Sequence, residues 1–195
     1  MAKVGKNKAT TKDQRQGAKA QSGLTPNPGP QTPNRRLFVD LEVCARCAEC
    51  VTRCDYFYHP ENNGMLSVRE RATMSVVCRR CENPICVSVC TREALEKDAA
   101  GVLRRHTMRC VGCKSCSIAC PFGTLFPEII PYAVSVCDYC AGRLREDEVP
   151  VCVESCPHTA VRFEEMEEGI PSGIIRVDDQ LVAHTLPWKK EGVKR

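Results

Sequence analysis

The sequence predicts an α+β fold whose centre is held by cysteines rather than by a large apolar core, with an extended arm at each terminus. Sixteen cysteines fall into four groups of four, aromatic residues make up only 5% of the 195 residues, and short alternating segments flank the cysteine groups. Cysteine makes up about 8% of the sequence, a level typical of proteins in which covalent or metal links replace much of the hydrophobic core. If the links are metals, we expect the metal-free chain to be largely unfolded, because metal binding and folding are coupled.

The four cysteine groups share one spacing pattern. The first and third read C-x2-C-x2-C-x3-C, the second reads C-x2-C-x4-C-x3-C, and the fourth has the same ends with eleven residues between its second and third cysteines. Pro121 and Pro157 directly follow the third and fourth groups and end the turn there. In sequence order the groups are Cys44, Cys47, Cys50 and Cys54; Cys78, Cys81, Cys86 and Cys90; Cys110, Cys113, Cys116 and Cys120; and Cys137, Cys140, Cys152 and Cys156.

This spacing is typical of [4Fe-4S] ligands. C-x2-C-x2-C-x3-C-P is the run of bacterial ferredoxins, in which three thiolates hold one cube and the fourth binds a second cube. We therefore predict four [4Fe-4S] clusters and a role in electron transfer. Eight disulfides are disfavoured because no secretory signal precedes the groups. Four zinc sites are disfavoured because structural zinc usually pairs two separated cysteine knuckles.

The composition argues against several other functions. No apolar run approaches the roughly 18 residues of a membrane span, and residues 1–21 are polar with no apolar signal region. We therefore expect a cytoplasmic protein with no direct membrane span. Nucleic-acid binding is not expected, because no aromatic residues interleave the basic ones. No glycine-rich phosphate loop, flavin fingerprint or nucleophile–base pair is present, so we predict a protein without a substrate site of its own.

Charge is distributed unevenly. Residues 1–36 hold eight lysines and arginines and one aspartate, whereas the whole sequence carries a formal +4. Four oxidised cubes, each about −2 with its thiolates, would make the rest of the protein strongly acidic. We predict that residues 1–36 form a flexible basic arm. The sharper alternative is an arm that lies along an acidic partner or along the acidic body.

Local patterns predict the remaining elements in order. Leu37-Phe38-Val39-Asp40 alternates like a short strand, and residues 55–77 form an insertion with an aromatic run and a turn. A short hairpin is expected within 91–109, as in ferredoxins, and strands are expected from Cys156 through Val161 and at 174–177. Residues 163–195 form a predicted C-terminal docking extension that includes Leu186-Pro187-Trp188.

Four segments carry a family resemblance: FVD at 38–40, CRRCENPIC at 78–86, CVGCKSCSIACPFG at 110–123 and CDYC at 137–140. Residues 37–162 resemble the four-cluster iron–sulfur subunits of multi-subunit oxidoreductases. Such subunits accompany molybdenum or tungsten pterin enzymes (dimethyl sulfoxide reductase, formate dehydrogenase, aldehyde oxidoreductase), hydrogenases such as formate hydrogenlyase, and carbon monoxide dehydrogenase. The resemblance is specific for the cofactor and weakly specific for the reaction, because the module serves many catalytic partners.

The resemblance also implies how the cysteine groups pair. Spacing alone allows the first group to pair with the second and the third with the fourth. The family pattern is instead a nested, pseudo-symmetric pair of ferredoxin-like modules, an inner one at about 78–120 and an outer one at about 37–60 plus 130–162. Cys113 is intact where some relatives have tryptophan, which favours a cube over a [3Fe-4S] cluster. The implied ligand sets are Cys44, Cys47, Cys50 and Cys156 (cluster A); Cys54, Cys137, Cys140 and Cys152 (cluster B); Cys78, Cys81, Cys86 and Cys120 (cluster C); and Cys90, Cys110, Cys113 and Cys116 (cluster D).

Three functions are consistent with these features. The first is a non-catalytic electron-transfer subunit bound to a catalytic subunit that holds a Mo/W-pterin, nickel or a flavin, with further electron-carrier subunits in the same complex. The second is a free polyferredoxin, and the third is a maturation or scaffold protein. The long terminal extensions favour the first, since a diffusing carrier gains little from them. Five arginines near the ligands are expected to offset cluster charge and raise cluster potentials: Arg79, Arg80, Arg104, Arg105 and Arg109.

Overall fold

Short helices and strands alternate along the sequence. The computed structural model describes residues 35–55, 63–130, 132, 135–145, 147–165 and 173–186. The strands are β1 (Arg35–Asp40), β2 (Leu95–Lys97), β3 (Leu103–Arg105), β4 (Val161–Glu165), β5 (Ile174–Arg176) and β6 (Leu181–His184). The helices are α1 (Leu41–Arg46), α2 (Asn63–Val77), α3 (Ile85–Ser88), α4 (Ser115–Ala119) and α5 (Val151–Glu154), with a 3-10 turn at Pro127–Ile129. The predicted mixture of helix and strand is confirmed, whereas the predictions for residues 1–34, the aromatic run at 56–60 and Trp188 lie outside the described residues.

A four-stranded mixed sheet joins the two ends of the described residues. Its strand order is β4-β1-β6-β5, with β1 antiparallel to β4 and parallel to β6. Leu37, Phe38 and Val39 of β1 are buried, so the predicted strand is confirmed and begins two residues earlier, at Arg35. The strands expected after Cys156 and at 174–177 appear as β4 and β5. Strand β6 was not predicted, and with β5 it makes residues 174–184 part of this sheet.

The predicted hairpin between the second and third cysteine groups is confirmed. Strands β2 and β3 pair antiparallel, with Leu95 opposite Arg105 and Lys97 opposite Leu103. The Asp98 carboxylate accepts hydrogen bonds from the backbone N–H groups of Ala100 and Val102, at 3.0 and 2.9 Å. A carboxylate that binds nearby backbone N–H groups stabilises a tight turn, so Asp98 fixes the connection between the two strands.

Helix α2 fills most of the segment predicted only as an insertion. Met65, Val68 and Ala72 recur at spacings of three and four residues and are buried, which is the pattern of a helix face that packs on a core. Its N-terminal half contacts a core beside the four-stranded sheet, and Met74 near its C-terminal end contacts a second core beside the hairpin. The helix therefore connects the two halves of the fold.

The two cores are small and aliphatic. The sheet core consists of Leu37, Val39, Cys44, Met65, Val68, Ala72, Ala160, Val161, Val177, Leu181 and Ala183. The hairpin core consists of Met74, Leu95, Leu103, Leu125 and Ile130. Within the described residues, none of the helices combines the length and the apolar character needed to cross a membrane.

Candidate iron–sulfur centres

The cysteines divide between the two cores. Cysteines of the first and fourth groups pack on the sheet core, namely Cys44, Cys50, Cys137, Cys152 and Cys156. Cysteines of the second and third groups pack on the hairpin core, namely Cys78, Cys86, Cys90, Cys110, Cys116 and Cys120. Groups that are distant in the sequence therefore share a core, because strand pairing brings their flanking segments together.

One recess lies where β1 ends and β4 begins. The Asp40 carboxylate caps α1 by accepting a hydrogen bond from the Val43 N–H at 3.0 Å. The backbone N–H of Asp40 donates to the Ala160 carbonyl at 2.8 Å, which holds the two strand ends together. The recess is lined by Cys44, Cys47, Cys50 and Cys156, with Arg69 and His158 also in its wall. Burial raises the pKa of Cys44 to about 11, with further upward contributions from the other three thiols and a downward one from Arg69.

A second set of thiols lies elsewhere against the sheet core. Burial raises the pKa of Cys137 and of Cys152 to about 12 in each case. The neighbouring thiols of Cys140 and Cys54 contribute to both shifts in the same direction. Cys54 is therefore close to three cysteines that follow it in the sequence by more than 80 residues. Its neighbour in the sequence, Cys50, lines the first recess instead.

The loop that carries Cys137 and Cys140 is fixed by contacts with α2 and the C-terminal turn. The Ser67 hydroxyl accepts a hydrogen bond from the Cys137 N–H at 2.8 Å. The Tyr139 hydroxyl donates to Asp178 at 2.8 Å and accepts from Arg71 at 2.7 Å. Tyr139 and Cys140 both adopt left-handed backbone conformations, with φ of 55°. These contacts stabilise a conformation that non-glycine residues rarely adopt.

The second and third cysteine groups meet beside the hairpin core. Burial raises the pKa of Cys86, and the nearby thiols of Cys120, Cys78 and Cys81 contribute in the same direction. The Lys97 ammonium group donates a hydrogen bond to the Cys81 carbonyl. This contact ties the ligand loop of the second group to strand β2.

The last recess lies at the open end of the hairpin. Cys90 precedes β2 and Cys110 follows β3, so antiparallel pairing brings these cysteines together. Both line a recess with Cys113 and Cys116. Burial raises the pKa of Cys116, with upward contributions from Cys110 and Cys90, whereas the Ser115 hydroxyl lowers the pKa of the exposed Cys113.

These thiol sets fit iron–sulfur clusters chemically. Burial raises the pKa of several of these thiols, and the other thiols of the same set raise it further because neighbouring thiolates repel each other. A coordinated metal cation removes the thiol protons and offsets this repulsion. None of the cysteines in the described residues forms a disulfide. In the same residues, no three His, Cys, Asp or Glu side chains are close enough to hold a single metal ion.

Hydrogen bonds to cysteine sulfur add a second layer to these sites. The Ala94 N–H donates to the sulfur of Cys90 and the Tyr139 N–H to that of Cys137, each at 3.3 Å. The hydroxyl of Thr52 lies 3.1 Å from the sulfur of Cys50. Such hydrogen bonds influence the reduction potential of a bound cluster. Ala94 and Tyr139 were not predicted from the sequence, because backbone donors have no sequence signature, and Thr52 was also not predicted.

The five arginines near the ligands are not equivalent. Arg105 lines the recess that contains Cys110, whereas Arg104 forms an ion pair with Asp98. Arg109 donates to the Glu93 carbonyl at 3.3 Å. Arg79 and Arg80 are exposed. Arg69, in the wall of the first recess, was missed because it lies in the insertion rather than beside a cysteine group.

Comparison with known proteins agrees with these centres. Residues 70–166 match the model of a 4Fe-4S dicluster domain. The protein is 32% identical over 147 residues to the thiosulfate reductase electron transfer subunit PhsB of Salmonella typhi, a match that covers 68% of this protein and 77% of the relative. It is 32% identical over 151 residues to the B subunit of anaerobic dimethyl sulfoxide reductase from Shigella flexneri, and 31% identical over 151 residues to the corresponding subunit of Escherichia coli (strain K12). Each of these two matches covers 68% of this protein and 74% of the relative.

Cysteine content, ligand chemistry and these similarities agree on the cofactor. Sixteen cysteines provide four ligands for each of four [4Fe-4S] clusters. The predicted cofactor load is thereby confirmed, and the fold is a ferredoxin-like dicluster fold.

Proposed function

Because the protein belongs to the 4Fe-4S dicluster family that includes the thiosulfate reductase electron transfer subunit and the anaerobic dimethyl sulfoxide reductase B subunit, we propose that it is a non-catalytic electron-transfer subunit. It carries electrons to or from the catalytic subunit of a multi-subunit molybdenum- or tungsten-pterin oxidoreductase. When bound, a [4Fe-4S] cluster exchanges single electrons. The protein binds the clusters, sets their spacing and tunes their potentials.

One observation carries this proposal: two cysteine-bearing cores lie in one continuous fold. Helix α2 contributes Val68 to the sheet core and Met74 to the hairpin core, six residues or about 9 Å apart along a helix. The two cores on which the cysteine sets pack therefore share neighbouring parts of one helix. This arrangement suits the relay of electrons through successive clusters.

We propose nested ligand sets for the four clusters. The recess of Cys44, Cys47, Cys50 and Cys156 supports cluster A, and the mutual influence of Cys54, Cys137, Cys140 and Cys152 supports cluster B. The proximity of Cys86 to Cys78, Cys81 and Cys120 supports cluster C. The recess of Cys90, Cys110, Cys113 and Cys116 supports cluster D. On this assignment, residues at about 78–120 form an inner module and the remaining ligands form an outer one.

The proposed partner is a catalytic subunit with a pterin-bound metal, in a complex that includes other electron carriers. Arg35 and Arg36 belong to β1, so the basic segment at residues 1–34 and the segment after residue 186 are the proposed contact regions. We place the complex in the cytoplasm, since a reducing compartment suits a protein rich in cysteine thiols.

Anaerobic co-purification with the tagged full-length protein tests this function. We expect a molybdenum- or tungsten-containing large subunit in one-to-one ratio, and we expect the substrate of that subunit to reduce or reoxidise the clusters. A protein that holds its clusters, purifies alone and exchanges electrons with several unrelated enzymes would instead be a free polyferredoxin. Clusters that cannot be reduced reversibly would contradict both functions and favour a scaffold role.

A further inference from the structure

A buried ion pair joins α2 to the hairpin. The Arg105 Nε donates to the Oε1 of Glu70 at 2.5 Å, and a second hydrogen bond joins Arg105 Nη2 to Glu70 Oε2. The two side chains are only 2% and 5% exposed. Removing two charges from water is costly and often contributes little to stability. Stability alone is therefore a weak reason for this pair to be buried here.

The same side chain also lies at a candidate cluster site. Arg105 lines the recess formed by Cys90, Cys110, Cys113 and Cys116. A guanidinium stays protonated in proteins because its intrinsic pKa is far above neutral pH. Arg105 therefore carries a permanent positive charge at the wall of this recess.

The neighbouring arginine provides an internal comparison. Arg104 Nε donates to Asp98 at 2.7 Å, and its Nη2 donates to the Val177 carbonyl at 2.9 Å. Successive side chains of a strand point to opposite faces, and Arg104, unlike Arg105, does not line the recess formed by Cys90, Cys110, Cys113 and Cys116. Of these two adjacent arginines of one strand, only Arg105 therefore places its charge at the wall of the recess formed by the four cysteines.

We propose that Arg105, held in place by Glu70, is a positioning residue that raises the reduction potential of the cluster bound by Cys90, Cys110, Cys113 and Cys116. This proposal rests on the proposed ligand set and on the electron-transfer function. Reduction adds one electron from a low-potential donor, and it requires no bond making, bond breaking or proton transfer. A buried cation stabilises the added negative charge, and the effect is large because the local dielectric constant is low. Glu70 opposes this effect more weakly, since Arg105 lines the recess and Glu70 does not.

An anaerobic redox titration of the full-length protein, followed by electron paramagnetic resonance, tests this role. In Arg105→Gln we expect one of the four midpoint potentials to fall. The expected change is at least tenfold in the equilibrium constant for reduction of that cluster, which corresponds to about 59 mV for one electron. Arg105→Lys should preserve most of the potential, and Glu70→Gln should shift the same midpoint upward. The matched control Arg104→Gln should leave all four midpoints unchanged.

The expected pattern separates redox tuning from a purely structural role. Loss of packing alone would lower the iron content or the thermal stability of both variants. It would not shift the midpoint potential of one cluster downward in Arg105→Gln and upward in Glu70→Gln. If Arg105→Gln does not fold because Glu70 is left unpaired, the double variant with Glu70→Gln removes both charges and should still lower that midpoint. Four unchanged midpoints in an iron-replete Arg105→Gln protein, or in the double variant, would overturn the proposal. These potentials are measured without the catalytic subunit, so failure to find such a partner would not affect the outcome.

Discussion

Replacing Cys54 with alanine distinguishes nested from sequential ligand sets. Cys54 follows Cys50 by four residues, yet it contributes to the pKa shifts of Cys137, Cys140 and Cys152. Alanine has no ligand atom, so one iron of the affected cluster loses its thiolate. We expect Cys54→Ala to disturb the cluster that Cys137, Cys140 and Cys152 bind.

Iron stoichiometry gives the size of the effect. Four clusters correspond to about 16 iron atoms per protein, so damage confined to one cluster leaves at least about 12. The double variant Cys54→Ala/Cys152→Ala removes two ligands of one proposed cluster, and it should also retain at least about 12 iron atoms. Cys54→Ala/Cys47→Ala removes one ligand from each of two clusters. Its iron losses should therefore add, to a minimum of about 8 atoms.

The assay is iron and sulfide analysis of anaerobically purified variants, together with electron paramagnetic resonance of the reduced proteins. Non-additive losses with Cys152 and additive losses with Cys47 would support the nested sets. Additive losses with Cys152 would refute the nested sets. If the losses are additive with Cys47 as well, pairing of the first group with the second is favoured, since Cys54 then binds the cluster of Cys78, Cys81 and Cys86. Non-additive losses with Cys47 would instead place Cys54 on the cluster of Cys44, Cys47 and Cys50. Cys47→Ala alone serves as the matched single variant, because its expected cluster is different.

Further predictions concern the arm, the C-terminal turn and the metal. Removing residues 2–34 should leave the iron content unchanged but reduce recovery of the catalytic subunit. The difference in recovery from the intact protein should shrink at high salt, because exposed charges are screened beyond about 8 Å. Recovery equal to that of the intact protein at all salt concentrations would contradict a binding role. Asp178→Ala should lower the melting temperature of the loaded protein by an amount equivalent to about 1–3 kcal/mol, since Asp178 binds both Arg71 and Tyr139. Asp179→Ala is the control, because this side chain is 94% exposed, and a similar loss there would count against the role of Asp178. Anaerobic iron extraction should unfold most of the protein, seen as lost far-ultraviolet ellipticity, and persistent amide protection in both cores would contradict that expectation.

Cysteine spacing predicted the chemistry of this protein and part of its fold. The spacing is a local property, because residues three apart in a turn bind adjacent irons. The strand before Cys44 and the hairpin before Cys110 were also predictable, since each is marked by short apolar segments next to a cysteine group. Both features depend on neighbouring residues alone.

Helix α2 and strand β6 were missed for a different reason. The α2 segment contains Arg69, Glu70 and Arg71, a charge run that resembles a solvent-exposed segment, although Glu70 is buried against Arg105. Strand β6 has only four residues, and its place inside the sheet depends on parallel pairing with β1, more than 140 residues earlier. Long-range pairing of this kind decides burial, and a single sequence does not reveal it.

The same limit applies to the second layer of the candidate centres. Five arginines near cysteines were equally plausible charge partners from the sequence, but only Arg105 among them combines a buried side chain with a place in the wall of the recess that contains Cys110. Adjacent positions on β3 differ because a strand directs alternate side chains to opposite faces. Without the packing of β3 against α2, Arg104 and Arg105 would have been indistinguishable.

Metal analysis of the anaerobically purified full-length protein tests the cofactor content most directly. We predict about sixteen iron and sixteen acid-labile sulfide per protein, with an absorbance that bleaches on reduction and recovers on reoxidation. Zinc at about four per protein without sulfide would contradict the assignment of the sixteen cysteines to electron-carrying clusters.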